Sequence, residues 1–260
     1  MTVVRVAFVG KGGAGKSVIA GAFARLLGRR GTPVLAVDSD PMPGMGFSLG
    51  LSGLETPLPD DAVEVGDAAA SGGPPPLRLR LPALEAVRRY GAEAPDSVRF
   101  LQFGKLRGHA RDLFRSQQAF RLIVEGMRSQ DWHVVGDLPG GTRQPFFGWA
   151  GFAETIVVVA EPTSGSLLTA RRLANLARAD AAPAQLVVVA NKVRDRADAE
   201  EVAARTGLEV VGAVPADPAV READRAGEAL LDVAPESGAA QAIEDLVSRL
   251  VPHPAQGPAR

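Results

Sequence analysis

Apolar, β-branched runs of strand length recur along the chain at residues 3–9, 34–37, 98–103, 133–135, 155–160, 186–190 and 210–214. Most lack alternation with polar residues, the pattern of strands buried on both faces of a mainly parallel sheet. Helical stretches separate them at 16–30, 116–129, 164–179, 197–206 and 239–250, and in the first of these Ala22, Phe23, Leu26 and Leu27 fall on one face. Alternating strands and helices predict a doubly wound α/β fold, a mainly parallel sheet with helices on both faces and right-handed crossovers. The pattern runs as one domain over residues 1–251. Two stretches interrupt it. Residues 53–76 are rich in Gly, Pro and Asp and include Gly72-Gly73-Pro74-Pro75-Pro76, so they read as a mobile surface loop. Residues 252–260 are Pro-rich and read as a disordered tail.

Composition narrows the chemistry. The chain of 260 residues has no cysteine, which excludes disulfides, thiolate nucleophiles and cysteine-ligated metal. A net charge of −1 gives no general attraction to nucleic acid or membrane. No apolar run approaches the ~18 residues that read as a membrane span. The N-terminal residues lack a basic region and a cleavage site, so a cytoplasmic protein is expected. Of 29 basic residues only Lys11, Lys16, Lys105 and Lys192 are lysines. A chain that otherwise uses arginine is expected to keep lysine where a compact ammonium is needed.

The strongest local signal is Gly10-Lys11-Gly12-Gly13-Ala14-Gly15-Lys16-Ser17, which fits the phosphate-loop pattern G-x-x-x-x-G-K-[ST]. It stands in the required context, after the first strand and opening the first helix. Small residues let backbone N–H groups curl around a phosphate, and the helix N-terminus adds partial positive charge. The expected phosphate cradle is Gly12, Gly13, Ala14, Gly15, Lys16, Ser17 and Val18. Lys16 is expected to bridge β- and γ-phosphates and the Ser17 hydroxyl to ligate magnesium, which implies a nucleoside triphosphate and Mg2+ as cofactors. Lys11 adds a second ammonium to the loop, either as a solvated surface lysine or as a further phosphate contact.

Three later segments follow strands at the end where α/β sheets place ligands. Asp38-Ser39-Asp40-Pro41 offers two carboxylates for magnesium water and the attacking water, or forms an ordinary turn. Asp137-Leu138-Pro139-Gly140 reads as a Walker B aspartate, holding magnesium through water, with a Gly140 N–H that senses the γ-phosphate. Asn191-Lys192-Val193 falls short of the guanine-reading N-K-x-D because Arg194 occupies the fourth position, which favours adenine and hence ATP.

K-G-G-x-G-K-S resembles the deviant Walker A signature of the MinD/ParA/nitrogenase iron protein group of P-loop ATPases. The resemblance covers nearly the whole chain. It is closest to the CooC-type CO dehydrogenase maturation ATPases, through V-L-A-V-D-S-D-P, V-V-V-A-E-P-T-S-G-S and V-P-A-D-P-A-V-R-E-A-D-R-A-G. It implies a homodimer formed on ATP binding, with Lys11 contacting nucleotide across the interface and Asp40 positioning or deprotonating the hydrolytic water. It also implies a magnesium site drawn from Ser17, Asp40 and Asp137, and adenine held by Asn191 and the turn containing Pro215 and Asp217. Nickel-handling members carry a C-x-C pair that this chain lacks. His109 and Asp112 stand three apart, as a weak metal pair or as an exposed histidine and its neighbour.

Residues 78–128 carry 11 Lys/Arg against 5 Asp/Glu, with Arg107, Arg111 and Arg115 at four-residue spacing. That basic stretch suits a solvated helix face, an acidic partner or non-specific DNA binding of the ParA kind. The stretch at 239–250 holds Glu244, Asp245 and one Arg249, unlike the basic membrane helix of MinD, so no stable membrane anchor is expected. Three function classes follow. The first, which overall similarity favours, is an accessory ATPase acting on an unidentified client protein without metal delivery. The second is a positioning or partition switch on DNA or a membrane partner. The third is a nucleotide-binding regulator with little turnover.

Overall fold

The structure, a computed structural model, describes residues 3–40, 44–52, 58–66, 75–103, 110–141 and 148–251. Its main sheet has the strand order β10-β9-β8-β1-β7-β2-β6-β5. The strands are β1 (Arg5–Gly10), β2 (Val34–Asp38), β5 (Ala92–Ala94), β6 (Val98–Gln102), β7 (His133–Asp137), β8 (Thr155–Ala160), β9 (Gln185–Val193) and β10 (Val210–Pro215). All pair in parallel except β5, which runs antiparallel to β6 at one edge. The chain leaves β1 for β2 and β6, returns to β7 between β1 and β2, then crosses β1 to build β8, β9 and β10. This is the expected doubly wound sheet.

Burial on both faces explains why the central strands lack polar alternation. In β1, Val6 and Phe8 enter one apolar cluster and Ala7 and Val9 the other, with all four fully buried. Successive side chains of a strand point to opposite faces, so a strand sandwiched by helices must be apolar at every position. One face is covered by α1 (Lys16–Gly28) and α9 (Gly238–Leu250), where Phe8 meets Phe23 edge to face at 5.4 Å. The other is covered by α4 (Ala110–Gly126), α5 (Ser164–Leu176) and α6 (Arg196–Thr206).

The 53–76 stretch needs correction where it is described. Leu58, Ala62 and Val63 are buried, and β3 (Val63–Val65) pairs antiparallel with β4 (Leu77–Leu79). The hairpin packs on α4, where the Arg115 guanidinium donates to the Val63 carbonyl at 2.5 Å. Three-residue strands among glycines and prolines carry too little periodicity to be read, and burial against α4 stabilises them instead. Arg115 is therefore a strut between α4 and β3 and not one of a row on a solvated face. Residues 53–57, 67–74 and 252–260 lie outside the described residues, as do Arg107 and His109 and the side chains of Arg111 and Asp112. Further short helices are α2 (Met45–Ser48), α3 (Ala83–Tyr90), α7 (Pro218–Ala226) and α8 (Leu230–Val233).

Among the described residues no helix is long and apolar enough to cross a membrane. Ala239, Ala240, Ile243, Leu246 and Val247, the apolar face of α9, are buried against the sheet, which leaves that face unavailable to lipid.

His133 opens β7 in a buried position, and its Nδ1 accepts the Val4 N–H at 2.9 Å. Burial, with a smaller contribution from the nearby Arg5 charge, pushes its pKa down to about 4. The unfolded chain, with an ordinary histidine, takes up this proton first as pH falls from about 6.5 towards 4. The contribution to stability is thus complete above pH 6.5 and is lost as pH falls through the folded-state value. Denaturant unfolding of wild type and His133→Gln at pH 7.5 and 4.5 is expected to differ in slope. Wild type should lose roughly 2–3 kcal/mol more than the glutamine variant over that interval. Equal losses would remove His133 from the acid sensitivity.

Candidate functional site

The site forms where the carboxyl ends of β1, β7 and β2 lie side by side. β1 ends at Gly10 and the chain turns through Lys11–Gly15 into α1. Gly15 has φ 90°, and a Cβ there would fall 2.2 Å from Asn191 Nδ2, so only glycine fits. Lys16 and Ser17 occupy the first turn of α1, with Lys16 only 7% exposed. β7, placed between β1 and β2 by the crossover, brings Asp137 against this turn from 120 residues away, and Ser17 Oγ donates to Asp137 Oδ2 at 2.5 Å.

Three aspartates converge with different surroundings. Asp38, fully buried at the end of β2, accepts backbone N–H groups of Asp40, Gly44 and Met45, each at 3.0 Å. It caps the start of α2 through Gly44 and Met45. Burial, opposed by these bonds, raises its pKa to about 6. Asp40, half-buried, accepts the Gly140 N–H through Oδ2 at 3.3 Å, which joins the segment after β2 to the one after β7. Asp137 is 1% exposed, and its Oδ1 has no hydrogen-bond partner among the described residues. Burial and then the Asp38 charge raise its pKa to about 7, while Lys16 and Ser17 pull it down. Gly140 approaches so closely that a Cβ on it would lie 3.4 Å from the Gly12 nitrogen and 3.9 Å from Lys16 Nζ.

The donor set fits a hard divalent cation. A buried Asp137 oxygen with no hydrogen-bond partner among the described residues, beside the Ser17 hydroxyl, offers hard oxygen donors of the kind magnesium selects, while the described residues bring no three acidic or histidine side chains into a group that holds an ion by itself.

Beside the loop lies a cavity of about 270 Å³ lined by Gly15, Val18, Asn191, Pro215 and Asp217 among others, mostly apolar and of a size suited to a heterocyclic base. It continues into a groove of about 510 Å³ past Gly13, Lys16, Ser17 and Gly44. Asn191 Nδ2 donates to the Ala14 carbonyl at 2.7 Å, which ties the base cavity to the phosphate loop. Asp217 lines the cavity and is also a helix cap. Its Oδ1 accepts Ala219 N–H at 2.9 Å and its Oδ2 accepts Ala239 N–H at 3.0 Å, so the carboxylate caps α7 and α9 and shapes the cavity wall. Asp195, the residue after Arg194, is an N-cap of α6, accepting the Asp198 N–H, and is not among the residues lining the cavity. Lys11 is exposed, and its ammonium lies over Gly165 at the start of α5.

Motif reading overlooks Lys192. Its ammonium donates to the Gly13 carbonyl at 2.8 Å and to Glu161 Oε1 at 2.6 Å. The scarcity of lysine was the signal available for it.

The chain is similar to known proteins over most of its length. A CooC carbon monoxide dehydrogenase accessory protein from Rhodospirillum rubrum is 26% identical over 240 residues, covering 89% of this chain and 91% of its own. An uncharacterized ATP-binding protein of Methanocaldococcus jannaschii is 28% identical over 257 residues, covering 95% and 98%. The fold matches that of the septum site-determining protein MinD of Pyrococcus horikoshii, solved with Mg-ADP. The TM-score is 0.73 and the identity 20%, over 96% of this chain and 97% of that one. The family model describing the CobQ/CobB/MinD/ParA nucleotide binding domain matches residues 6–231, and the chain belongs to that family.

Proposed function

We propose that this protein is a magnesium-dependent ATPase that closes as a homodimer on ATP and acts on a client protein without delivering metal. The observation that carries the reading is the junction of Ser17, Asp137 and Lys16 at the foot of the phosphate loop, with an unpaired Asp137 oxygen facing it. In this reading the N–H groups of Gly12, Gly13, Gly15 and Val18 and the Lys16 ammonium bind the phosphates, while the Ala14 N–H donates to the Lys11 carbonyl at 3.1 Å and holds the loop's turn. Ser17, Asp137 and Asp40 would hold the magnesium ion, which when bound neutralises charge on the phosphate oxygens. Asn191 Nδ2 is engaged by Ala14, so its Oδ1 is the acceptor offered to an adenine amino group, with the Pro215 turn as the opposite wall. The Gly140 N–H now bonded to Asp40 is the donor a γ-phosphate would take. That exchange releases Asp40 to orient and deprotonate water.

The client-facing surface in this reading is the β3–β4 hairpin with α4, where Val65 and Phe114 are 56% and 54% exposed. Metal delivery is disfavoured on ligand chemistry, because the chain has no thiolate and His133 is buried with Nδ1 engaged. Lys11 supports the dimer. Its ammonium lies over the N-terminus of α5, an end that carries partial positive charge, and anionic phosphate is the better neighbour. Sedimentation velocity with Mg2+ and a non-hydrolysable ATP analogue is expected to show a dimer, and Lys11→Ala to remain monomeric or to lose hydrolysis. Full-rate hydrolysis by a strict monomer would sink the cross-dimer role.

A further inference from the structure

The carbonyls of the phosphate loop are held from outside by neighbouring side chains at the end of β9. Asn191 Nδ2 binds the Ala14 carbonyl at 2.7 Å and Lys192 Nζ binds the Gly13 carbonyl at 2.8 Å. The Ala14 carbonyl held in this way belongs to the peptide that carries the Gly15 N–H, a donor to the cradle, while the Gly13 carbonyl belongs to the peptide whose Ala14 N–H donates to the Lys11 carbonyl at 3.1 Å, so the two contacts fix successive peptides of the loop. Lys192 does this from a left-handed backbone with φ 57°, a conformation unfavourable for a residue with a Cβ, so the surrounding structure holds it there.

The same ammonium is paired with Glu161 Oε1 at 2.6 Å, at the end of β8. Glu161 N–H donates to Ser166 Oγ at 3.0 Å, which fixes the turn into α5. The Lys11 ammonium rests on that turn, where a Cβ on Gly165 would lie 3.3 Å from it. Lys192 also lines both the base cavity and the phosphate groove. One ion pair therefore joins the phosphate loop, the base cavity and the turn under Lys11.

We propose that Lys192 and Glu161 form a clasp of positioning residues for the nucleotide, in which Lys192, which lines the phosphate groove, holds the Gly13 carbonyl and cancels the charge of Glu161 behind it. This rests on the ATP reading above. The side chains are 50% and 23% exposed, and an ion pair this open adds little to folding stability. Its effect falls on a polyanionic ligand. Without Lys192 the loop loses one carbonyl anchor, and the Glu161 charge is left uncompensated behind the groove that Lys192 lines. Without Glu161 the ammonium remains on Gly13 and faces the groove with no counter-charge. The two single substitutions therefore act on affinity with opposite signs, which a purely structural ion pair does not do.

The test is titration of the full chain with a fluorescent ATP analogue and Mg2+, together with steady-state hydrolysis and thermal melting. K192M is expected to weaken binding about tenfold or more, the scale of one charge-assisted contact, with the loss falling on KM more than on kcat. E161Q is expected to bind at least as tightly as wild type, and K192M/E161Q to bind more tightly than K192M. Wild-type affinity in K192M, weakened binding in E161Q, or no recovery in the double variant would each overturn the clasp. A folded wild-type protein that binds no ATP would overturn the underlying reading, and the clasp with it.

Discussion

Lys16→Ala is expected to abolish measurable ATP binding, a loss of about 10³-fold or more, while the protein stays folded. Truncating one partner of a buried charge pair costs 2–5 kcal/mol or more, and that converts to about this loss in affinity. The surroundings make Lys16 hard to replace. It is 7% exposed on the first turn of α1, and its stem lies 3.4–3.5 Å from where a Cβ on Gly10 would sit. Its ammonium faces Gly140. It lowers the pKa of Asp137, against the opposing effects of burial and Asp38. Without it, three carboxylates would confront a triphosphate with no cation of the protein buried among them. Lys16→Arg is expected to fail as well, because a planar guanidinium is larger and differently shaped than the ammonium this pocket encloses. Isothermal titration with Mg2+ and ATP, beside a thermal melt, decides the matter. Binding by Lys16→Ala within tenfold of wild type would remove the phosphate-loop assignment.

Asp40→Ala is expected to lower turnover by about 10²-fold or more while leaving ATP affinity nearly unchanged, the scale of losing a general base. Of the three clustered aspartates, Asp38 is committed to three backbone N–H groups and Asp137 is engaged by Ser17. Asp40 is the half-buried member, at the junction with Gly140. Its bond to the Gly140 N–H raises a second role, holding two segments together, and Asp40→Asn separates the two. Asparagine keeps an acceptor for Gly140 but is a far poorer base. Single-turnover phosphate release from Asp40→Asn is expected to be as slow as from Asp40→Ala. Recovery in the asparagine variant would assign Asp40 to holding Gly140, and a wild-type rate in Asp40→Ala would remove it from the chemistry.

What can be read along the chain here is what depends on neighbours close in sequence. The central strands are visible because burial on both faces demands unbroken apolar residues, and Val6 to Val9 report that demand directly. The phosphate loop is visible because its glycines and Lys16-Ser17 act within one strand–helix turn. The hairpin of β3 and β4 and the edge strand β5 escape such reading, being three residues each and stabilised by packing or by a partner strand. Charged side chains escape it further, because their partners arrive through the fold. Asp217 gains a structural task the sequence does not show when α9 brings the Ala239 N–H to it from 22 residues away. Asp38 and Asp40 look alike until the curled loop buries one against three N–H groups and leaves the other beside Gly140. Asp137 meets Ser17 only because the crossover inserts β7 between β1 and β2. Lys192 reads as part of a failed guanine motif until Gly13 and Glu161 lie within reach of its ammonium. Hydrophobic period and glycine chemistry act over a few residues and are written locally. A polar group's role is set by which donors and charges surround it, and strands brought together from distant parts of the chain supply those.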